Sequence, residues 1–252
     1  MGREVLSAVA REPDLDPVGC VDLLSTEAQI SVPGSDKLIP FGKDPAAMIS
    51  RVHPDVIVDF TSAEWTPKVA KEAIAAKVRL VVGTTGLSQS FVTELEADAN
   101  KNGVGVLVAP NFAIGAVLMQ YMAKVAARFF SFAEIIELHH EGKIDSPSGT
   151  ALATAKAMAE AREKPFFVPT SQKEPVKGAR GAVENSVTIH SVRLPGLVAH
   201  QEVIFGGPGE TLTIRHDTTN RESFMPGVIL AVREVMKHND FVYGLDRLVG
   251  LT

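Results

Sequence analysis

Residues 56–86, VIVDFTSAEWTPKVAKEAIAAKVRLVVGTTG, decide the fold. The runs 56–60 and 78–82 are short, β-branched and almost continuously apolar, which is how strands covered on both faces of a parallel sheet read. Between them Thr66-Pro67 opens an amphipathic run to Ala75, a cap-type hydroxyl followed by a φ-fixed proline at the first helical position. Gly83-Thr84-Thr85-Gly86 follows the second strand as a glycine-bearing turn. The alternation extends in both directions. Toward the C-terminus, Ser88 opens a helix to about Asn100, and 104–109 is a further strand. Toward the N-terminus, Asp44-Pro45 opens a helix over 46–49, preceded by a helix over 3–10 and a strand over 17–21 that ends at Asp22. Strand and helix in strict alternation predict an α/β, doubly wound parallel sheet with right-handed crossovers.

After Pro110 the pattern changes. A long apolar helix over 114–129 leads into a strand over 132–140, a loop over 141–148 and an alanine-rich helix over 150–163. Strands over 186–193, 199–205 and 211–216 follow, with Gly206-Gly207-Pro208-Gly209 between the last two. Alternating residues and a Gly/Pro turn argue for antiparallel pairing. Residues 161–182, charged and rich in Gly and Pro, read as a mobile loop, and helical character returns over 225–237 and 241–251. The expected organisation is a nucleotide-type domain of residues 1–111 and 220–252, with an inserted antiparallel α+β domain over 112–219.

Composition narrows the function classes. The 252 residues carry 25 Lys+Arg against 30 Asp+Glu, a net charge of −5, which argues against nucleic acid or anionic lipid as a partner. Cys20 stands alone and cannot form an internal disulfide. No apolar run reaches the roughly 18 residues of a membrane span, and Met1-Gly2-Arg3-Glu4 has no apolar signal core. A soluble cytoplasmic protein without membrane partners is expected.

The segment Glu137-Leu138-His139-His140-Glu141-Gly142-Lys143-Ile144-Asp145-Ser146-Pro147-Ser148-Gly149-Thr150-Ala151 carries the chemistry. It sets two imidazoles and an ammonium within five positions of one another, ahead of a helix start. Either histidine can act as an acid near neutral pH, and Lys143 can neutralise an anion or give up a proton. Ser148-Gly149-Thr150 offers backbone N–H groups at the positive end of a helix, which suits a carboxylate or phosphate. The combination reads as a receptor for a small dianion with a proton donor built in. Adjacent histidines on a strand face opposite ways, so one of the pair also reads as a plain surface or core residue, and Lys143 as a solvated loop residue. The same geometry keeps the two rings off one ion, and with no His-Glu-x-x-His and no cysteine pair, no metal site is expected.

Three strand ends carry small or polar residues: Asp59-Phe60-Thr61, Gly83-Thr84-Thr85-Gly86 and Ala109-Pro110-Asn111-Phe112. Ligands of open parallel sheets collect at such ends. Asp22 reads equally as an acceptor for ribose hydroxyls and as a loop-starting acid. No serine-hydrolase elbow, Walker loop or Gly-x-Gly-x-x-Gly is present.

These stretches, with Arg193-Leu194-Pro195-Gly196 and His200-Gln201-Glu202, resemble the dihydrodipicolinate reductase (4-hydroxy-tetrahydrodipicolinate reductase) family over nearly the whole chain. The resemblance implies a Rossmann-like dinucleotide-binding domain and an inserted substrate-binding and oligomerisation domain. It implies hydride transfer from NADPH or NADH to a cyclic imine dicarboxylate in lysine biosynthesis through diaminopimelate. His139 stands where the family has its proton donor/acceptor, Lys143 where it has a second donor, and His140, Gly149 and Thr150 where it holds substrate carboxylates. Phe60, Gly83, Thr84, Thr85, Ala109, Pro110, Asn111 and Phe112 fall on the cofactor side, with Asp22 near the ribose. Met1-Gly2-Arg3 matches the end of the family's glycine-rich turn, so the first strand is expected upstream of Met1; for a chain that began at Met1, weak cofactor binding is expected, because Gly2 alone cannot supply the pyrophosphate's backbone donors. A homotetramer assembled through the inserted sheet is implied. Two other readings stay open: a reductase for a different dicarboxylate, and a non-catalytic homologue, an assembly or binding protein with impaired cofactor binding.

Overall fold

The structure is a computed structural model and describes residues 1–251. In chain order it contains α1 (Gly2–Arg11), β1 (Cys20–Val21), β2 (Gln29–Ser31), β3 (Leu38–Gly42), α2 (Pro45–Val52), β4 (Val56–Asp59), α3 (Thr66–Ala75), β5 (Arg79–Val82), α4 (Gln89–Asn102) and β6 (Val106–Val108). Then follow α5 (Ile114–Ala126), β7 (Phe132–His139), α6 (Gly149–Glu160), β8 (Ala182–Glu184), β9 (Val187–Arg193), β10 (Ala199–Gly207), β11 (Glu210–Thr218), α7 (Met225–Val235) and β12 (Phe241–Tyr243).

The chain divides into two compact units, residues 1–114 with 221–252, and residues 115–220. In the first, β4, β5, β6 and β12 form a parallel sheet in the order β12-β6-β5-β4. Leu80, Val82, Val106 and Val108 are buried against Val69 and Ala73 of α3 and Leu95 and Ala99 of α4. Capping follows the residues that suggested it: Asp44 accepts from the Ala46 N–H ahead of Pro45, and Ser88 accepts from the Phe91 N–H. At α3 the outcome differs. Thr66 does not cap its helix; its hydroxyl donates to Asp59 Oδ2 at 2.6 Å, tying the helix to the end of β4.

Four expectations are corrected. Residues 241–251 are not helical: β12 adds to β6 as a parallel strand and turns follow it, since Phe-Val-Tyr is too short for periodicity to separate helix from strand. The strand over 17–21 shrinks to Cys20–Val21, which pairs with β3 in a separate small sheet, β1-β3-β2, where the sequence suggested no strands for β2 and β3. The second unit's sheet, ordered β11-β10-β7-β9-β8, is mixed rather than antiparallel. β7 and β9 run parallel because a crossover that includes α6 joins them, and only a long connection can return a strand in the same direction. The loop over 161–182 ends in strand β8.

The second unit's core sets Ile135, Ile189, Val203 and Phe205 of the sheet against Ala123 and Ala127 at one helix and Ala151, Ala155 and Met158 of α6. Alanines on the inner helix faces let the backbones approach the sheet closely.

One close approach in the first unit gives a stability prediction. A Cβ on Gly227 of α7 would lie 2.1 Å from the Phe112 carbonyl oxygen and 3.0 Å from Leu245 Cδ2. Backbone cannot yield as a side-chain tip can. Gly227→Ala is therefore expected to cost about 1–3 kcal/mol, the usual range for overpacking, read as a lower urea midpoint.

Candidate active site

In the second unit, β7 carries the polar cluster. Strand alternation puts Ala133, Ile135, Glu137 and His139 on one face, and the first three are buried. Glu137 is fully buried. Its Oε2 meets His139 Nδ1 at 2.5 Å, and Arg193, at the end of β9, grips both oxygens, Nη1 to Oε2 at 2.9 Å and Nη2 to Oε1 at 2.8 Å. The parallel register explains the reach: His139 lies opposite Arg193 and Glu137 opposite Ser191. The Ser148 N–H also donates to Glu137 Oε1 at 3.3 Å, so the carboxylate touches the amino end of α6 as well.

Past the strand, the Lys143 N–H bonds the His140 carbonyl at 3.2 Å and folds the chain back. Lys143 Nζ donates to Asp145 Oδ1 at 2.6 Å, and Arg193 Nη2 donates to the Asp145 carbonyl at 2.8 Å. His139 and Lys143 thus belong to one network through Glu137, Arg193 and Asp145. Ser148 caps α6 by accepting from the Ala151 N–H at 3.2 Å, with Gly149 exposed and Thr150 half-buried in the first turn. His140 is exposed, whereas the His139 side chain is only 14% exposed.

The electrostatics follow from these contacts. Burial pushes the Glu137 carboxyl up, but hydrogen bonds from His139, Arg193 and Ser191 together with the Arg193 charge outweigh it and bring it down to about 2. The same pair holds the Arg193 guanidinium above its ordinary range. The Lys143 ammonium holds the Asp145 carboxyl below the usual carboxylate range, helped by the Gly149 N–H. Asp145 therefore sits on two of the donors that the sequence suggested for a ligand carboxylate.

In the first unit, the three strand ends come together. The Gly83 N–H bonds the Asp59 carbonyl at 2.8 Å, and the Ala109 N–H bonds the Val82 carbonyl at 3.0 Å. Phe60 and Phe112 pack with ring centroids 5.4 Å apart. A Cβ on Gly83 would lie 2.2 Å from the Phe60 ring, so only glycine leaves that ring its place. Thr84 is buried and its Oγ1 has no partner, an open demand for a polar group. Thr85 and Pro110 are exposed, Ala109 is buried, and Asn111 Oδ1 accepts from the Ala113 N–H at 2.9 Å. Asp22 directly follows β1, exposed, with Oδ1 accepting from the Leu24 N–H at 2.8 Å. Met1 caps α1 through its carbonyl, which accepts from the Val5 N–H, and Gly2 is the first helical residue.

Glu137 and Arg193 were not singled out from sequence as functional residues. A signal for Glu137 was present, an acid two positions before His139 on the same face as the apolar Ala133 and Ile135; Arg193 stood in a stretch shared with the family, but its pairing with Glu137 could not be read without the strand register. Among the described residues no group of His, Cys, Asp and Glu could hold a metal ion, and no helix is long and apolar enough to cross a membrane.

Comparison with known proteins shows the family to which this chain belongs. The family description "Dihydrodipicolinate reductase, N-terminus" matches residues 1–112 and "Dihydrodipicolinate reductase, C-terminus" residues 115–249. The 4-hydroxy-tetrahydrodipicolinate reductase of Dehalococcoides mccartyi is 49% identical over 251 residues, covering 100% of this chain and 95% of the relative. That of Bacillus subtilis is 45% identical, covering 99% and 94%. A dipicolinate-bound dihydrodipicolinate reductase from Paenisporosarcina sp. TG-14 superposes with a TM-score of 0.86 at 40% identity, covering 98% of this chain and 94% of that one. With both halves of the chain matched and relatives near half identity over full length, the chain belongs to the dihydrodipicolinate reductase family, which are oxidoreductases that use NADH or NADPH.

Proposed function

We propose that this chain reduces 4-hydroxy-tetrahydrodipicolinate to tetrahydrodipicolinate, with His139 and Lys143 handling protons and His140, Gly149 and Thr150 holding the substrate's carboxylates. In atom balance a ring hydroxyl is replaced by hydrogen, so one hydride enters and the hydroxyl leaves with one proton as water. NADPH or NADH, when bound, supplies that hydride. The protein must hold a dianion, deliver the proton and stabilise charge as it develops.

His139 has Nδ1 engaged by a carboxylate, which leaves Nε2 to exchange a proton with substrate. Lys143 brings an ammonium to the same network, and a substrate carboxylate would compete with Asp145 for it. The N–H groups in the first turn of α6 favour a carboxylate there. On the cofactor side the residues fit the group: Gly83 lets the Phe60 ring approach the backbone closely, and the buried Thr84 hydroxyl, which no protein group engages, can bond a polar atom of the cofactor. Gly83, Thr84, Thr85 and Ala109 to Phe112 would flank the nicotinamide, with Phe60 beside them and Asp22, Met1 and Gly2 toward the remainder. The protein acts as a cytoplasmic homotetramer with neither nucleic acid nor membrane as partner; the net charge of −5 supports the last point, and the exposed Leu118, Met122 and Val125 of α5, with Phe129 in the turn after it, support self-association.

The observation that carries this reading is the joining of His139 and Lys143 through Glu137, Arg193 and Asp145. Mixing the chain with enzymatically generated substrate and NADPH or NADH should oxidise the nicotinamide only when substrate is present. No oxidation with either nucleotide would sink the proposal.

A further inference from the structure

The geometry points to Glu137, gripped by Arg193, as the positioning residue that fixes which nitrogen of His139 exchanges the proton. This rests on the reading of His139 as a proton donor. An ionised carboxylate accepts hydrogen bonds and donates none, so at 2.5 Å His139 Nδ1 must carry a proton in both the neutral and the cationic ring. Nε2 is then the atom that gains and loses the second proton. A ring free to turn about its χ angles would present either nitrogen; this one is pinned.

Arg193 makes the arrangement possible. Two parallel N–H···O bonds at 2.8 and 2.9 Å fix the plane of the carboxylate, and the guanidinium cancels a charge that is fully buried. A further bond, from Nη2 to the Asp145 carbonyl, fastens the loop that bears Lys143 to the same fork. The groups facing Glu137 are His139 on its own strand, Arg193 and Ser191 on β9, and the Ser148 N–H before α6, while Gln201 on β10 lies opposite it in register. Arg193 is the positive charge among these groups that does not titrate near neutrality, so a negative Glu137 faces His139 throughout the working pH range. The arrangement follows the logic of a buried acid that orients a catalytic imidazole and stabilises its cation.

Glu137→Gln keeps the shape, removes the charge and offers an amide that can donate to Nδ1. It should lower kcat at least about tenfold with KM changed far less, and move the His139 limb of the pH–rate profile to lower pH, because the imidazolium loses its negative partner. Glu137→Asp, which restores the charge one methylene short, should recover the position of that limb in part. Nitrogen-15 spectra of histidine-labelled wild-type enzyme, with His139 assigned by His139→Gln, should show a ring protonated at Nδ1; this readout does not depend on the folding of any Glu137 variant. An Nε2–H tautomer in the wild-type enzyme, or a Glu137→Gln enzyme with unaltered kcat and pH profile, overturns the inference. If His139→Gln itself turns over at the wild-type rate, the reading of His139 as donor fails instead, and the two failures are thereby distinguished.

Discussion

Lys143→Ala is expected to reduce kcat at least about a hundredfold, the scale of a lost general acid. The side chain is 21% exposed and its ammonium is held at 2.6 Å from Asp145 Oδ1, so it is neither a free surface lysine nor a deeply buried one. That intermediate state suits a group that must exchange partners, from Asp145 to substrate, without leaving the site. Two roles predict a loss on truncation, charge neutralisation and proton delivery, and Lys143→Arg separates them. Arginine keeps the positive charge but does not release a proton at any working pH. If Lys143 gives a proton, the arginine variant should bind substrate with KM near the wild-type value while kcat stays low. If it only neutralises a carboxylate, the arginine variant should recover most of kcat. Steady-state rates of NAD(P)H oxidation over a range of substrate decide between these outcomes, and an unchanged rate for the alanine variant would leave Lys143 a bystander.

Arg193→Ala should destabilise the fold by about 3–5 kcal/mol, because it strands a buried carboxylate with no cation bound to it in fork geometry. Glu137 is 0% exposed, and Arg193 supplies two of its hydrogen bonds. Removing the guanidinium leaves the His139 ring, Ser191 and the Ser148 N–H to meet a buried charge that had two further bonds from Arg193. The guanidinium also bonds two carbonyls, of Val192 and Asp145, so the loop over 141–148 loses an anchor as well. Urea unfolding followed by circular dichroism gives the change, and a loss under about 1 kcal/mol would mean that the carboxyl simply takes up a proton or is reached by water.

The same pair sets an acid dependence of known sign. Glu137 titrates near 2 in the folded protein against 4.5 as its ordinary value. A depressed folded value means that its contribution is fully present above about pH 4.5 and fades as pH falls toward about 2. In the Arg193 variant the carboxyl should titrate higher, and the acid limb of stability should begin at a higher pH.

How much of this was readable follows from where each interaction lies along the chain. The parallel strands over 56–59, 79–82 and 106–108 were legible because burial on both faces demands continuous apolar runs, a composition that few other settings impose. The helix starts at Asp44 and Ser88 were legible because capping is local chemistry. Strands β2, β3 and β12 were not, being three to five residues long and carrying no decisive period. Thr66 shows the limit most clearly: its place before Pro67 suggested a cap, yet a buried acid seven residues earlier claims the hydroxyl.

The site divides in the same way. Residues 137–151 by themselves placed His139, Lys143 and a helix start within reach of one another, because a strand end, a tight turn and a cap are built from neighbours in sequence; His140 is exposed and stands outside their network. Only the tertiary structure decided which groups hold them. Arg193 stands 56 positions from Glu137, and nothing but the parallel register of β7 on β9 brings its fork to that carboxylate. Chain-local interactions are written in adjacent residues, whereas a buried charge depends on what the rest of the fold delivers to it.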